Sequence, residues 1–262
     1  MADLADRVVI VSGVGPGLGR ETALVAAREG GKVVLAARTE SNLAAVAAEI
    51  GAAGGKAVYR RTDITNAADR KALVDLAVEQ FGRVDALILV AAYDAIFGGI
   101  AATENFDDWR QAMEVNLYSS LDLVKCALPA LQESGGSIVF VSSQTQHHPP
   151  PLALQAAYAA TKGAMTGALR HVAHEIGPLG VRINEVAPGW MLGPPVEGYV
   201  QHLANERGIS YEAMMGEMTG HMPLRRMATD GEVAEVLVFF ASPRSSGMTG
   251  QTLLVNAGEV VH

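Results

Sequence analysis

Cysteine is almost absent: Cys126 is the only one in 262 residues, so an intrachain disulfide is impossible and a cysteine-built metal cluster is excluded. That usage suits a reducing compartment, and a cytoplasmic setting is expected. Charge is also scarce, at 18% of residues, with a net balance of -8 spread along the chain. No run of lysine or arginine is present to track phosphates, which argues against nucleic acid as a partner. Apolar runs are short, and none reaches the roughly 18 residues that a bilayer-spanning helix needs. Asp3, Asp6 and Arg7 interrupt the N-terminus where a secretion signal would carry a basic and then an apolar stretch. Neither a membrane nor an export route is expected.

What remains is a chain rich in hydrophobic residues, 49% of the total, and long enough to bury a substantial core as one domain over 1–262. Strand-like and helix-like segments alternate. Val8 to Val11, Lys32 to Ala37, Ala57 to Arg61, Ala86 to Val90, Ser137 to Ser142, Val181 to Ala187 and Thr252 to Asn256 read as strands. Between them, Arg20 to Arg28, Ser41 to Gly51, Asp69 to Gln80, Trp109 to Leu131, Ala156 to Ile176 and Glu232 to Ala241 read as helices. Alternation of this kind implies parallel pairing through right-handed crossovers: an α/β, doubly wound (Rossmann) sheet with helices on both faces. Gly189 to Pro223, rich in Gly, Pro and Met, reads as irregular.

Ser12-Gly13-Val14-Gly15-Pro16-Gly17-Leu18-Gly19 stands between the first strand and the first helix, where a diphosphate can rest on a helix N-terminus. Gly13 permits a tight turn, Gly17 lets backbone approach phosphate, and Gly19 lets the helix pack close to the strand. Such a turn points to a dinucleotide. Its type is decided at the end of the second strand, where an acid would bind the ribose hydroxyl of NAD. Ala37 stands there instead. Arg38, helped by Thr39 and Arg20, can pair with a 2′-phosphate, so NADP(H) is favoured over NAD(H). The alternative is that Arg38 is merely solvated. Asp63, at the end of the third strand, can cap the next helix.

Tyr158 and Lys162, four residues apart, fall on one helix face. An ammonium near a phenol favours the phenolate and brings a general acid/base toward working pH. Ser142 and Ser143 end a strand at the carboxyl edge of the sheet, and Ser143 is preferred as the group that holds a substrate oxygen beside Tyr158. Asn116 interrupts an apolar helix and needs a water or backbone partner if buried. The order glycine turn, Asp63, Asn116, Ser143, Tyr158, Lys162, Pro188-Gly189 resembles the classical short-chain dehydrogenase/reductase family over essentially the whole chain. The resemblance implies that Tyr158 is the general acid/base, that Ser143 stabilises the oxyanion and that Lys162 orients the nicotinamide ribose and lowers the tyrosine pKa. It implies a water-linked proton relay at Asn116, adenine contacts from Asp63 and Ile64, and cofactor contacts from Ala91, Pro188 and Gly189.

Three departures stand out. Leu89-Val90-Ala91-Ala92-Tyr93 replaces the family's Asn-Asn-Ala-Gly segment, Gly193 stands where a threonine is usual, and His147-His148-Pro149-Pro150-Pro151 lengthens the path from Ser143 to Tyr158. Tyr93, Gln144, His148, Trp190, Met191 and Tyr199 are expected to join Ser143 and Tyr158 around the substrate. Residues 190–227 should cover the site. Their methionines suit a bulky hydrophobic ketone or secondary alcohol, or else pack the cover itself. No metal site is expected, because adjacent histidines rarely face one ion. Small residues on the helices at Trp109 to Leu131 and Ala156 to Ile176 predict a homo-oligomer, a tetramer above a dimer. The competing functions are an NAD-dependent member, a 3-oxoacyl-thioester reductase that uses Arg225-Arg226, and a dinucleotide sensor without chemistry.

Overall fold

The computed structural model describes residues 3–94, 96–150 and 154–261. Seven parallel strands form the central sheet in the order β3-β2-β1-β4-β5-β6-β9: β1 Val8–Ser12, β2 Lys32–Ala37, β3 Lys56–Arg61, β4 Ala86–Leu89, β5 Ser137–Val141, β6 Arg182–Pro188 and β9 Thr252–Val255. The two further strands, β7 Met191–Leu192 and β8 Ala228–Thr229, pair only with each other. Crossover helices α1 Leu18–Arg28, α2 Glu40–Ala52, α3 Ala67–Phe81, α4 Asp107–Met113, α5 Ser119–Ser134, α6 Ala156–Ile176 and α9 Asp230–Ala241 cover both faces.

The central strands are near-continuous β-branched runs because both of their faces are buried. Alternation divides each strand between two cores. Val9, Val11, Val33 and Leu35 face Leu43, Val233 and Leu237 of α2 and α9. Val8, Ile10, Val34 and Leu87 face Leu73, Leu123 and Leu169 of α3, α5 and α6. The edge strand β3 is largely exposed and carries Lys56, Arg60 and Arg61, charges that blunt an edge against further pairing. The strand order reverses between β1 and β4, and a ligand crevice is expected at that switch point, beyond the carboxyl ends.

Two segments differ from the sequence reading. The helix expected from Trp109 to Leu131 contains a π turn, Glu114–Tyr118, between α4 and α5. Apolar periodicity does not register one extra residue in a turn, and such turns gather at functional positions. The stretch read as irregular holds α7 Pro194–Arg207 and α8 Tyr211–Thr219, with Ser210 capping α8 through the Ala213 N–H at 3.1 Å. Glycine and proline there mark helix ends, not absence of structure: Pro194 and Pro195 open α7 and Gly208, at φ 64°, closes it. Among the described residues no helix is long and apolar enough to cross a membrane.

Candidate active site

A cleft of about 780 Å³ runs along the carboxyl ends of the strands, from the end of β2 past the glycine turn to Tyr158. Local chemistry fixes its floor. Gly13 has φ +103°, and a Cβ on it would lie 2.3 Å from the Ala91 nitrogen; a Cβ on Gly19 would lie 2.1 Å from the Gly13 carbonyl. These contacts let β1, the turn and α1 close on one another. Gly17 is the N-cap of α1, so the free N–H groups of that helix, beginning near Leu18, open into the cleft. The Val90 and Ala91 N–H groups both donate to the Ser12 carbonyl at 2.8 Å. Backbone bonds therefore hold the segment that lacks the family's asparagines.

The cradle fits a dinucleotide on two observations. Gly13 and Gly19 pack backbone against backbone with no room for a Cβ, which shapes the turn under the helix N-terminus, and the buried Ser12 hydroxyl, which lines the cleft, has no hydrogen-bond partner among the described residues. At the far end Ala37, Arg38 and Thr39 line the cleft beside Asp63 and Ile64. Arg20, expected to assist Arg38, is engaged elsewhere: its guanidinium grips both Glu49 oxygens at 2.6 and 2.8 Å and also pairs with Glu21. Arg38 is exposed and makes no ion pair among the described residues. Asp63 does not cap α3, a position held by Asn66. Its carboxylate accepts from the Thr65 hydroxyl at 2.7 Å and the Thr65 N–H at 2.9 Å, bonds that hold its pKa below the usual carboxylate range.

At the other end, β5 delivers Ser143 and α6 delivers Tyr158 and Lys162 to the same wall. The Lys162 ammonium, on a side chain 4% exposed, donates to the Val141 carbonyl at 2.8 Å and sits 5.3 Å from the centre of the Tyr158 ring. Burial lowers its pKa to about 8, against the carboxylates of Asp94 and Glu185, which raise it. Tyr158 is pushed well above the ordinary phenol value, first by desolvation and then by Asp94; its hydrogen bond with Ser143 pulls it down. Ser143, and not Lys162 as expected, is the group that lowers it, and burial outweighs that bond, so the tyrosine is held as the neutral acid.

The two serines separate in space, and the preferred one faces the tyrosine. Ser142 donates its hydroxyl to the buried Glu185, whereas Ser143 faces Tyr158. Asn116, 2% exposed, has the backbone partner that burial requires: its oxygen accepts from the Tyr93 N–H at 2.7 Å, and its amide donates at 3.0 Å to the Tyr93 carbonyl and to Thr161. Thr161 in turn donates to the Tyr158 carbonyl at 2.8 Å. The π turn thus aims Asn116 at the backbone around Tyr93 and Tyr158, and Asn116 itself does not line the cleft.

Not every expected residue comes together. Tyr93 and Met191 line the cleft with Pro188 and Gly189, but Gln144, His148, Trp190 and Tyr199 do not. Gln144 is bound to Asn256 and Glu259; His148 is exposed; Trp190 and Tyr199 stack on each other at 5.7 Å. Met214, Met218, Met222 and Met227 are buried in a separate cluster with Val200 and Ala204. They pack the segment at 190–227 internally. Pro151, the end of the insert, lies outside the described residues.

Three acids escaped the sequence reading. Asp94 follows Tyr93 in a patternless loop, and Asp230 reads as an ordinary acid in the first turn of a helix. Glu185 did leave a signal, because a carboxylate inside a doubly buried strand demands partners; Ser142, Gln146 and Thr166 supply them to Oε1, and Oε2 has none among the described residues.

A family model described as enoyl-(acyl carrier protein) reductase matches residues 13–259. The chain belongs to the short-chain dehydrogenase/reductase family. It is 33% identical to the short-chain reductase protein NovJ of Streptomyces niveus, over 97% of this chain and 94% of that protein. It is 28% identical to the 7alpha-hydroxysteroid dehydrogenase of Escherichia coli (strain K12), over 98% and 95%. Among solved structures it is similar to an actinorhodin polyketide ketoreductase with NADPH, at 29% identity, TM-score 0.87 and 99% coverage of both chains. Like its relatives, this short-chain dehydrogenase/reductase is an oxidoreductase acting on alcohol or carbonyl groups.

Proposed function

We propose that the chain moves a hydride between NADP(H) and a hydrophobic secondary alcohol or its ketone, with Tyr158 as general acid/base. The observation that carries this reading is one continuous cleft joining Arg38 and the glycine turn to Ser143, Tyr158 and Lys162. A nicotinamide dinucleotide bound along it supplies or accepts the hydride. Ser143 and Tyr158 share a hydrogen bond, so both hydroxyls can reach one substrate oxygen. In reduction Tyr158 gives its proton to that oxygen. The adjacent ammonium of Lys162 then stabilises the phenolate left behind, and it favours proton loss from the alcohol in the reverse direction. Segment 190–227 acts as a lid, contributing Met191 and Val196 to an apolar wall of the cleft that Tyr93 also lines.

The hydrophobic substrate class rests on that wall, and the 7alpha-hydroxysteroid dehydrogenase relative supports it. The NADP preference rests on Arg38, free of competing ion pairs beside Ala37, and the ketoreductase with NADPH is consistent with it. A 3-oxoacyl-thioester reductase is the competing reading: Arg226 is held by Glu232 at 2.6 and 2.7 Å, which leaves the exposed Arg225 as the basic group of that pair. Oxidation of NADPH and NADH should be followed across steroid, terpenoid and aryl ketones alongside small polar ketones and sugars. Bulky apolar ketones should turn over best, and a preference for sugars would remove the substrate class. Arg38→Ala should reduce the NADPH-over-NADH preference by about tenfold or more, the worth of a charge-assisted contact; equal loss with both cofactors would place Arg38 outside 2′-phosphate recognition.

A cytoplasmic homo-oligomer, tetrameric, completes the proposal. The single cysteine suits a reducing compartment, and the exposed Tyr118 and the open space around Gly167 on α6 leave room for close helix packing between subunits. Light scattering should give a multiple of 27.4 kDa; a monomeric mass would contradict this.

A further inference from the structure

Asp230 opens α9 at the rim of the cleft and is 7% exposed. Among the described residues no group donates a hydrogen bond to its carboxylate. That carboxylate lies where two glycines leave space: a Cβ on Gly17 would stand 3.0 Å from Oδ2, and one on Gly193 only 1.9 Å away. A side chain at 193 would fit only if the Asp230 carboxyl turned aside. The absence of a threonine at 193 and the acid at 230 are therefore one structural feature, in which a carboxyl fills the space that a side chain at 193 would occupy.

The surroundings are hostile to a carboxylate. Burial first, and then the negative charges of Glu21 on α1 and Glu197 on α7, raise its pKa to about 6. Basic groups on the elements packed around it are committed elsewhere. Arg20 pairs with Glu21 and Glu49, Arg28 with Glu29 and Glu235, and Arg226 with Glu232. On β6, Glu185 faces α6, and Arg182 meets the opposite end of α9 at the Phe240 carbonyl. Gly17 is also the N-cap of α1, the end at which helix N–H groups receive a diphosphate. An ionised Asp230 would repel such a group in a half-enclosed cleft, whereas a protonated one can donate to it.

We infer that Asp230 meets the diphosphate of the dinucleotide as a neutral carboxyl, so that cofactor binding takes up a proton at this residue; this rests on the dinucleotide reading of the cleft. Neutral Asp230 and the N–H groups of α1 then hold the diphosphate together, and affinity falls as pH rises.

Isothermal titration of NADH and NADPH between pH 5.5 and 7.5, in buffers of differing ionisation heat, tests this. NADH carries no 2′-phosphate to titrate, and Lys162, near 8, and Asp63, below the usual carboxylate range, change little across the window. For the wild type, Kd should rise about twentyfold from pH 5.5 to 7.5 with net proton uptake, the factor expected if only the neutral form of a group titrating near 6 binds. Asp230→Asn should flatten the profile and bind more tightly than wild type at pH 7.5, and Asp230→Ser provides a second variant should the first fold poorly. Equal slopes in wild type and variants, or wild-type binding that tightens toward pH 7.5, would overturn the inference and leave the dinucleotide reading intact. Failure of wild type to bind either dinucleotide at any pH would remove that reading and the inference with it.

Discussion

Tyr158→Phe is expected to lower kcat by about a thousandfold, within the range that a positioned general acid contributes, and to leave dinucleotide affinity nearly unchanged. The variant keeps the ring, its packing on α6 and its place 5.3 Å from the Lys162 ammonium. Only the hydroxyl bonded to Ser143 is lost. A thousandfold loss corresponds to about 4 kcal/mol at the transition state. Because burial holds the phenol as an acid at neutral pH, the wild-type enzyme should reduce ketones well near neutrality. Alcohol oxidation, which needs the deprotonated form, should gain rate as pH rises. Steady-state rates with the best ketone of the panel, set beside NADPH binding by fluorescence, test the claim. A variant that keeps more than about a tenth of kcat would transfer the proton role elsewhere.

The sequence disclosed those features whose cause is local. Glycines at the end of a β-branched run demanded a cradle, and the limits of β2 and α6 were read to the residue, helped by Gly30-Gly31 before β2 and Gly177-Pro178 after α6. Tyr158 and Lys162 could be placed on one face from helical geometry alone. Ser143 is preferred from its place in the motif, but the reason Ser142 is withdrawn and the partners of Asn116 depend on tertiary neighbours, Glu185 and Tyr93, that are 43 and 23 residues away. The methionines of α8 and of the stretch between α8 and α9 left two readings open for a related reason: their flexibility suits a ligand or an internal cluster equally, and only packing chooses. The glycine at 193 looked like a simple loss until Asp230, 37 positions later, was found in its space.

Gly13→Ala should unfold the protein about 10 °C earlier and abolish measurable dinucleotide binding. The new Cβ would meet backbone on every side: the Ala91 nitrogen at 2.3 Å, the Ala91 Cα at 2.6 Å and the Val90 carbonyl carbon at 2.8 Å. Side chains can rotate away from such a clash, but this segment is pinned by the Val90 and Ala91 N–H groups on the Ser12 carbonyl. Relief therefore breaks at least one buried hydrogen bond, in addition to the cost of φ +103° for an L residue. Together these come to about 3–4 kcal/mol, and at this chain length each costs about 2–4 °C. Gly15 lies two residues on, with no heavy atom within 4 Å of its would-be Cβ, and Gly15→Ala should shift Tm by less than about 2 °C. Thermal unfolding of the two variants side by side separates the effect of the turn's geometry from that of glycine content. Equal, small shifts in both would mean that the β1–α1 turn can move away from β4, and the rigid cradle inferred for the diphosphate would fall with it.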